Sequence, residues 1–386
     1  MAGSIRRRGK GSWEVTVDLG RDPSTGRRRR RFVNVRGTKK EAERVLSEAL
    51  HQRDTGIDIH PGKITVAEFL RRWLRDYAAH NVAPSTLARY TGIMEHHLIP
   101  ALGSLRLRDL RPAHIQAAYG RFLAAGSRRD GSAKGLSPRT VLHHHRLIHE
   151  ALAHAVQWQL IANNPADAAA PPRPIATEMR ALDSEEAEWL LDVARETLLY
   201  PFVHMALKTG ARLGELLALR WSDVDLDAAT VQIARTVKRI SGQGLVFGTP
   251  KTHRSRRSVA LSADTVAVLR AHRRLQVEHR LSLGPGYENQ GLVFASLTGQ
   301  PVDDSNLRRA FQRIVKEAGL APLRVHDLRH TAATLMLRAG VHPKIVSEML
   351  GHASVGITLD TYSHVTPTMQ REAAEAMDAI LRRGRR

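Results

Sequence analysis

The chain has 386 residues, with 59 lysines and arginines, 38 aspartates and glutamates, and no cysteine. This length predicts more than one folded domain, and the lack of cysteine excludes disulfide scaffolds, cysteine-ligated metal sites and thiol catalysis. No apolar run is long enough to span a membrane, and no signal-peptide core follows the basic start, so we expect a cytoplasmic protein without a membrane partner.

The positive charge is concentrated near the start of the chain. Residues 1–40 contain 13 basic residues and three acidic ones, and the formal net charge of the whole chain is +21. Most of the basic residues are arginines, whose planar guanidinium group suits bidentate contacts to phosphate and guanine. Nucleic acid is therefore the expected partner.

Residues 1–56 predict a small three-stranded sheet with one helix. Trp13, Val15 and Val17 alternate with polar residues, residues 22–26 have turn chemistry, and Thr38 is placed to begin a helix that Gly56 ends. Five consecutive arginines cannot all project from one side of a strand, so some must face away from the helix. They could simply be a solvated charge run, but a small sheet fits a DNA major groove. We predict that they bind DNA: Arg27, Arg28, Arg29, Arg30 and Arg31.

Residues 63–165 predict an all-helical bundle. Thr65, Pro84 and the pair Ser137-Pro138 are helix-start signals, and apolar residues recur at helical spacing between them. Residues 166–178 are rich in alanine and proline and predict a linker.

Five histidines in this bundle suggest a metal site: His143, His144, His145, His149 and His154. However, His149 and His154 are five residues apart, not the four of a zinc-protease helix, although His145 and His149 do share a face. We expect a solvated or DNA-facing histidine face, with no metal and no other cofactor.

Residues 179–386 predict a mixed α+β domain that is mainly helical. Asp183 begins its first helix, strands are expected within residues 229–261, and a last helix is expected at about residues 368–383. The overall fold class is therefore a multidomain chain: a small sheet plus helix, an all-α bundle and an α+β domain.

Two segments of this third domain carry basic groups at breaks in secondary structure. Gly210 closes one helix and Arg212 opens the next, which makes a plausible phosphate cradle, with Glu215 one turn on to hold a neighbouring side chain. An arginine–glutamate pair at this spacing can also be an ordinary surface ion pair. Lys251 lies on a turn between strands, where it could donate a proton or act only through its charge. Two arginines after it are expected to contact DNA: Arg254 and Arg256.

Further candidate catalytic residues occur nearer the end of the chain. His326 and Arg329 are one helical turn apart, His352 follows a helix break, and Tyr362 lies on a short helix that precedes the expected last one. A tyrosine with a pKa near 10 is ionised to about one part in a thousand at pH 7, a deficit of roughly 4 kcal/mol. Two arginines can stabilise the charge of a five-coordinate phosphorane, and a histidine can accept the tyrosine proton. Together they can supply this free energy. Phosphoryl transfer to Tyr362 therefore needs no metal.

These residues and their order resemble the catalytic set of the tyrosine recombinases, the lambda-integrase family. The strings TGARLGE, HDLRHT, LGH and LDTYSH are specific to that family. The resemblance covers nearly the whole chain. It implies an arm-type DNA-binding domain at 1–56, a core-binding domain at 63–165 and a catalytic domain at 179–386.

The resemblance also implies a mechanism and partners. Tyr362 would attack a scissile phosphate to give a 3′-phosphotyrosyl bond and a free 5′-hydroxyl, without ATP or Mg²⁺. The implied partners are double-stranded DNA at arm-type and core-type attachment sites, three further copies of the chain in a synaptic tetramer, and DNA-bending and directionality factors. The implied roles are phosphate binding by Arg212 and Arg329, proton transfer at the tyrosine by His326, protonation of the leaving hydroxyl by Lys251, a phosphate hydrogen bond from His352, and support from Glu215.

Two alternatives share part of this pattern. A type IB topoisomerase uses the same tyrosine chemistry, but the separate arm-like module argues against it. A DNA-binding regulator with vestigial catalytic residues is disfavoured by the intact set.

Overall fold

The computed structural model describes residues 3–21, 28–54, 64–124, 134–175, 180–240, 242–248, 256–362, 375 and 377. The chain forms two compact units, Met1–Ala176 and Thr177–Arg386. The division between them falls within the predicted linker.

The first part of the N-terminal unit is an antiparallel sheet with one helix. Strands β1 (Gly3–Gly9), β2 (Ser12–Arg21) and β3 (Arg28–Arg36) lie in that order, and helix α1 (Lys39–Asp54) follows. Val15 and Val17 are fully buried on the face that α1 covers. The register places Phe32, which is 62% exposed, and Arg30 on the opposite face, because alternate residues point to opposite sides.

The second part of this unit is a helical bundle. Its elements are α2 (Val66–Trp73), a π-helical turn (Leu74–Ala78), α3 (Ala79–Asn81), α4 (Pro84–Ile93), a second π-helical turn (Met94–Leu98), α5 (Ile99–Leu102), α6 (Pro112–Leu123) and α7 (Pro138–Gln157). Thr65 caps α2 and Ser137 caps α7 through their side chains, as their positions predicted. Ala166 and Ala169, which the sequence placed in the linker, are buried in the bundle core, because their small side chains fit against it.

The histidines of α7 have structural partners. His144 is 1% exposed, packs on the ring of Phe122 and bonds to its own helix through the carbonyl of Thr140. The prediction of a solvated or DNA-facing histidine face is therefore wrong for His144. His145 Nδ1 lies 2.7 Å from the Tyr119 hydroxyl. Within the described ranges, no group of three or more potential ligands is arranged to hold a metal ion.

The C-terminal unit is mainly helical. Its helices are α8 (Ser184–Arg195), α9 (Tyr200–Thr209), α10 (Leu213–Leu216), α11 (Ala263–Leu283), α12 (Asp304–Glu317), α13 (Val325–Arg338), α14 (Pro343–Leu350) and α15 (Val355–Tyr362). Asp183 caps α8 as expected. The core around α9 and α13 includes the fully buried side chains of Val203 and Leu328.

The described strands of this unit form two small sheets. Strands β4 (Val224–Asp225), β5 (Thr230–Ile233) and β8 (Arg257–Ala260) form one, and β6 (Thr236–Ile240) pairs with β7 (Gly244–Gly248) in the other. The predicted last helix lies outside the described residues except for Glu375 and Met377, which are helical and exposed. No helix in the described part of the chain is both long and apolar enough to cross a bilayer.

Candidate active site

The turn between α9 and α10 requires glycine at position 210. Gly210 has a φ of 62°, and a Cβ atom there would lie 2.4 Å from Cδ2 of Leu350, which is fully buried in α14. Only glycine combines a left-handed backbone with such a close approach. The chain therefore reverses sharply and brings Arg212 to the N-terminus of α10, as predicted.

Arg212 is held in place by Glu215 and by the turn after α14. Its Nη1 donates to Glu215 Oε1 at 2.8 Å, its backbone N–H donates to Oε2 at 3.0 Å, and its Nη2 donates to the Gly351 carbonyl at 3.3 Å. The Arg212 side chain is still 38% exposed. The guanidinium group is thus fixed in orientation and accessible to an anion.

Glu215 also binds a second arginine that the sequence analysis did not select. Arg257 Nη2 donates to Glu215 Oε2 at 2.9 Å, and its Nε donates to the Met349 carbonyl. Burial alone would raise the pKa of the Glu215 carboxyl, but the charge and hydrogen bond of Arg257, together with Arg212, hold that pKa below its usual value. Glu215 therefore remains a carboxylate between two cations.

The second predicted phosphate ligand, Arg329, reaches the same turn from α13. It is 3% exposed, and its Nη1 donates to the Gly210 carbonyl at 2.8 Å. The N-terminus of α13 is fixed by Asp327, which accepts the backbone N–H of Arg324 at 2.7 Å. Arg212 and Arg329 thus converge on one short turn although they are far apart in sequence.

His326 lies one turn before Arg329 on α13. Its ring is exposed and stands edge-on to His330, with the ring centroids 4.8 Å apart. Desolvation and then the charges of Arg329 and Arg212 lower the pKa of His326. Because the ring remains open to solvent, we attribute the shift mainly to these charges. A neutral imidazole at neutral pH can accept a proton.

His352 follows the left-handed residue Gly351 at the end of α14. Its Nδ1 lies 2.8 Å from Oγ1 of Thr358, which is fully buried on α15. Desolvation, followed by the charges of Arg329 and Arg212, lowers the pKa of His352 to about 4.

For the remaining predicted residues, the structure describes only part of the position or none of it. Tyr362 is the last residue of α15, one turn after Thr358, but its side chain lies outside the described part of the chain. Arg256 is exposed next to β8. Arg30 is exposed on the N-terminal sheet, and the side chains of its neighbours in β3 are not described. Lys251, Arg254 and Arg27 lie outside the described residues.

The structure therefore brings together Arg212, Glu215, His326, Arg329 and His352. Sequence reasoning missed Arg257 and Thr358. Arg257 had a detectable signal, because it shares a strand face with Val259 and Leu261 and so points inward. Thr358 carried no such signal.

Three guanidinium groups, from Arg212, Arg257 and Arg329, are grouped here around the carboxylate of Glu215. The excess positive charge of these guanidinium groups favours a phosphate. Neutral histidines nearby can exchange protons with groups bound to it.

Comparison with known proteins agrees with this chemistry. The profile of the Phage integrase family matches residues 180–369, and that of the Phage integrase N-terminal SAM-like domain matches residues 65–123. An integrase of Streptomyces ambofaciens is 32% identical over 386 residues, covering 96% of this chain and 94% of that protein. A Caldanaerobacter subterraneus protein described as tyrosine recombinase XerC-like is 28% identical over 97% of each chain.

Solved structures share the fold. The Tn1549 transposon integrase in complex with a circular intermediate DNA superposes with a TM-score of 0.67 at 21% identity, over 82% of this chain and 100% of that one. A lambda integrase dimer bound to a core site has a TM-score of 0.58 at 18% identity, over 93% of this chain and 94% of that one. The predicted fold class is confirmed. The chain belongs to the phage integrase family and is a site-specific recombinase of the tyrosine type.

Proposed function

We propose that this recombinase integrates or excises a mobile DNA element through a covalent bond between Tyr362 and a DNA 3′-phosphate. The convergence of Arg212 and Arg329 on the Gly210 turn carries the proposal. His352 lies at the same place and contacts the helix that ends at Tyr362.

Each side chain has one chemical task. The phenolic oxygen of Tyr362 attacks the phosphorus while Arg212 and Arg329 neutralise the non-bridging oxygens and His326 accepts the phenolic proton. The bond from phosphorus to the 5′-oxygen breaks, and Lys251 protonates that oxygen. His352 donates a hydrogen bond to the phosphate.

The reverse step rejoins DNA. A 5′-hydroxyl of the partner strand attacks the phosphotyrosyl bond and releases Tyr362 with its proton. One phosphodiester is replaced by another of similar energy, so neither ATP nor Mg²⁺ is needed.

The other modules supply site recognition. We assign residues 1–56 to arm-type sites, residues 63–165 to core-type sites and residues 179–386 to catalysis. Because Ala166 and Ala169 pack in the bundle core, the linker before the catalytic domain begins after Ala169. The open sheet face with Arg30 and Phe32 fits a major groove. We assign a DNA contact to Arg256 as well, which is exposed and precedes Arg257 in the chain.

Recombination needs four cuts, and therefore four active sites. A lambda integrase tetramer bound to a Holliday junction shares this fold, with a TM-score of 0.55 at 19% identity. We propose the same assembly here, acting on DNA in the bacterial cytoplasm with DNA-bending and directionality factors.

A suicide substrate nicked next to the crossover site tests the proposal, because release of the short fragment traps the covalent complex. Wild-type protein should give a protein–DNA adduct that resists denaturation. Tyr362→Phe should give none while its DNA affinity stays within a few fold. An adduct formed by Tyr362→Phe would refute the nucleophile.

A second assay distinguishes a recombinase from a topoisomerase and from a DNA-binding regulator. Joining of strands between two sites supports recombination, whereas relaxation of a supercoiled plasmid without joining would indicate a topoisomerase. If the wild-type protein forms no adduct, the remaining interpretation is a DNA-binding regulator.

A further inference from the structure

Thr358 is a buried polar residue between two parts of the proposed active site. It is 0% exposed, and its hydroxyl oxygen lies 2.8 Å from His352 Nδ1. It also belongs to α15, one turn before Tyr362. A threonine buried at this point must place its hydroxyl in a hydrogen bond, because an unpaired buried hydroxyl is costly.

The direction of this hydrogen bond depends on which nitrogen of His352 carries the proton. Desolvation comes first among the causes that lower its pKa to about 4, and the charges of Arg329, Arg212, Arg257 and His330 add to it. The ring is therefore neutral at pH 7 and carries one proton.

The proton must be on Nε2 if that nitrogen is to donate to a phosphate. Nδ1 is then the acceptor, and the Thr358 hydroxyl is the donor. The opposite tautomer would bond equally well to Thr358 but would present a lone pair to the phosphate and repel it.

We propose that Thr358 is a positioning residue that fixes the orientation of the His352 ring and ties this residue to the helix of the nucleophile. The inference rests on the proposed role of His352. Because Thr358 belongs to α15, the His352 ring is held in this orientation only when α15 packs against the turn after α14. The same helix carries Tyr362, so both groups are positioned together.

The test measures single-turnover cleavage of the nicked substrate by full-length protein in a double-mutant cycle. Thr358→Val keeps the shape of the side chain and removes its hydroxyl, and should slow cleavage about tenfold, the equivalent of one hydrogen bond. Thr358→Ser restores the hydroxyl and should return the rate to within a few fold of wild type.

The same Thr358→Val change in a His352→Ala background should slow cleavage no further, because the hydroxyl no longer has a ring to orient. A tenfold decrease in both backgrounds would overturn the inference, since it would mean that Thr358 serves only to seat the helix. Wild-type cleavage by Thr358→Val would overturn it too. Wild-type cleavage by His352→Ala alone would instead remove the proposed role of His352, and this inference with it.

Two controls accompany the cycle. DNA affinity of each variant should stay within about twofold of wild type, which shows that the protein is folded. Thr265 is also 0% exposed, and its hydroxyl lies 3.1 Å from Nε2 of His204, a histidine outside the candidate site. Thr265→Val therefore removes a similar buried hydroxyl and should leave cleavage unchanged in both backgrounds.

Discussion

Arg257 and Glu215 form a buried ion pair behind Arg212. Arg257 Nη2 lies 2.9 Å from Glu215 Oε2, and the two side chains are 6% and 3% exposed. The other oxygen of Glu215 accepts from Arg212 at 2.8 Å. Since the two arginines share this carboxylate, Arg257 helps to set the position of Arg212, and it also links the β8 strand to the end of α14.

We predict that Arg257→Gln costs about 3 kcal/mol of stability, because it leaves the Glu215 carboxylate buried with one of its two arginines removed. Urea unfolding followed by a probe in the C-terminal unit measures this change. Arg256→Gln, at the adjacent exposed position, should change stability by less than about 0.5 kcal/mol. Equal effects of the two substitutions would contradict the importance of the buried pair.

Gly210 and Gly340 provide a matched pair of left-handed glycines. Their φ angles are 62° and 78°, but a Cβ at Gly340 has no heavy atom within 4 Å, whereas one at Gly210 meets Leu350. Gly340→Ala should cost about 1 kcal/mol from backbone strain alone. Gly210→Ala should cost more and should also slow adduct formation, because it shifts the carbonyl that binds Arg329. If both variants lose the same stability and Gly210→Ala still cleaves at the wild-type rate, the close approach of Gly210 to Leu350 does not matter for the site.

His330 gives the C-terminal unit a defined pH dependence. It is 7% exposed, and desolvation, then the charge of His326, lowers its pKa to about 4. Because the unfolded chain binds a proton near pH 6.5 and the folded one does not, stability is full above that pH and falls as the pH drops toward 4. His330 should contribute about 2 kcal/mol to the decrease in stability at pH 5.

Denaturant unfolding at pH 7.5 and pH 5 tests this assignment. His330→Asn should reduce the difference in stability between the two pH values. The measurement at pH 7.5 serves as the control, because the ring is neutral there in both states. A variant with the same pH difference as wild type would show that another group is responsible.

The N-terminal sheet should account for a separate part of the DNA affinity. Deleting residues 1–56 should weaken binding to arm-type DNA and lower the slope of affinity against salt by about one unit for each phosphate that this segment neutralises. Binding to a core site should persist. Fluorescence anisotropy on the two DNAs over a salt series gives both quantities, and an unchanged slope would remove the arm-binding assignment.

The sequence by itself was enough to predict much of the framework and, through its resemblance to a known family, the enzyme class. The break at Gly210, the cap at Asp183 and the helix that carries Arg329 all depend on residues close together in the chain, so propensity and capping rules predict them. The residue types predicted phosphoryl transfer to Tyr362, and the resemblance of their order and local strings to the tyrosine recombinases indicated the enzyme class.

The tertiary structure decided which groups meet. Arg329 reaches the Gly210 carbonyl across 119 residues, and Arg257 reaches Glu215 across 42. No short-range rule predicts such contacts, because they arise when separate elements pack together and remove water from between them. The burial of His144 and the pairing of Thr358 with His352 have the same origin: a side chain acquires its partner and its ionisation state from neighbours that only the packed fold supplies.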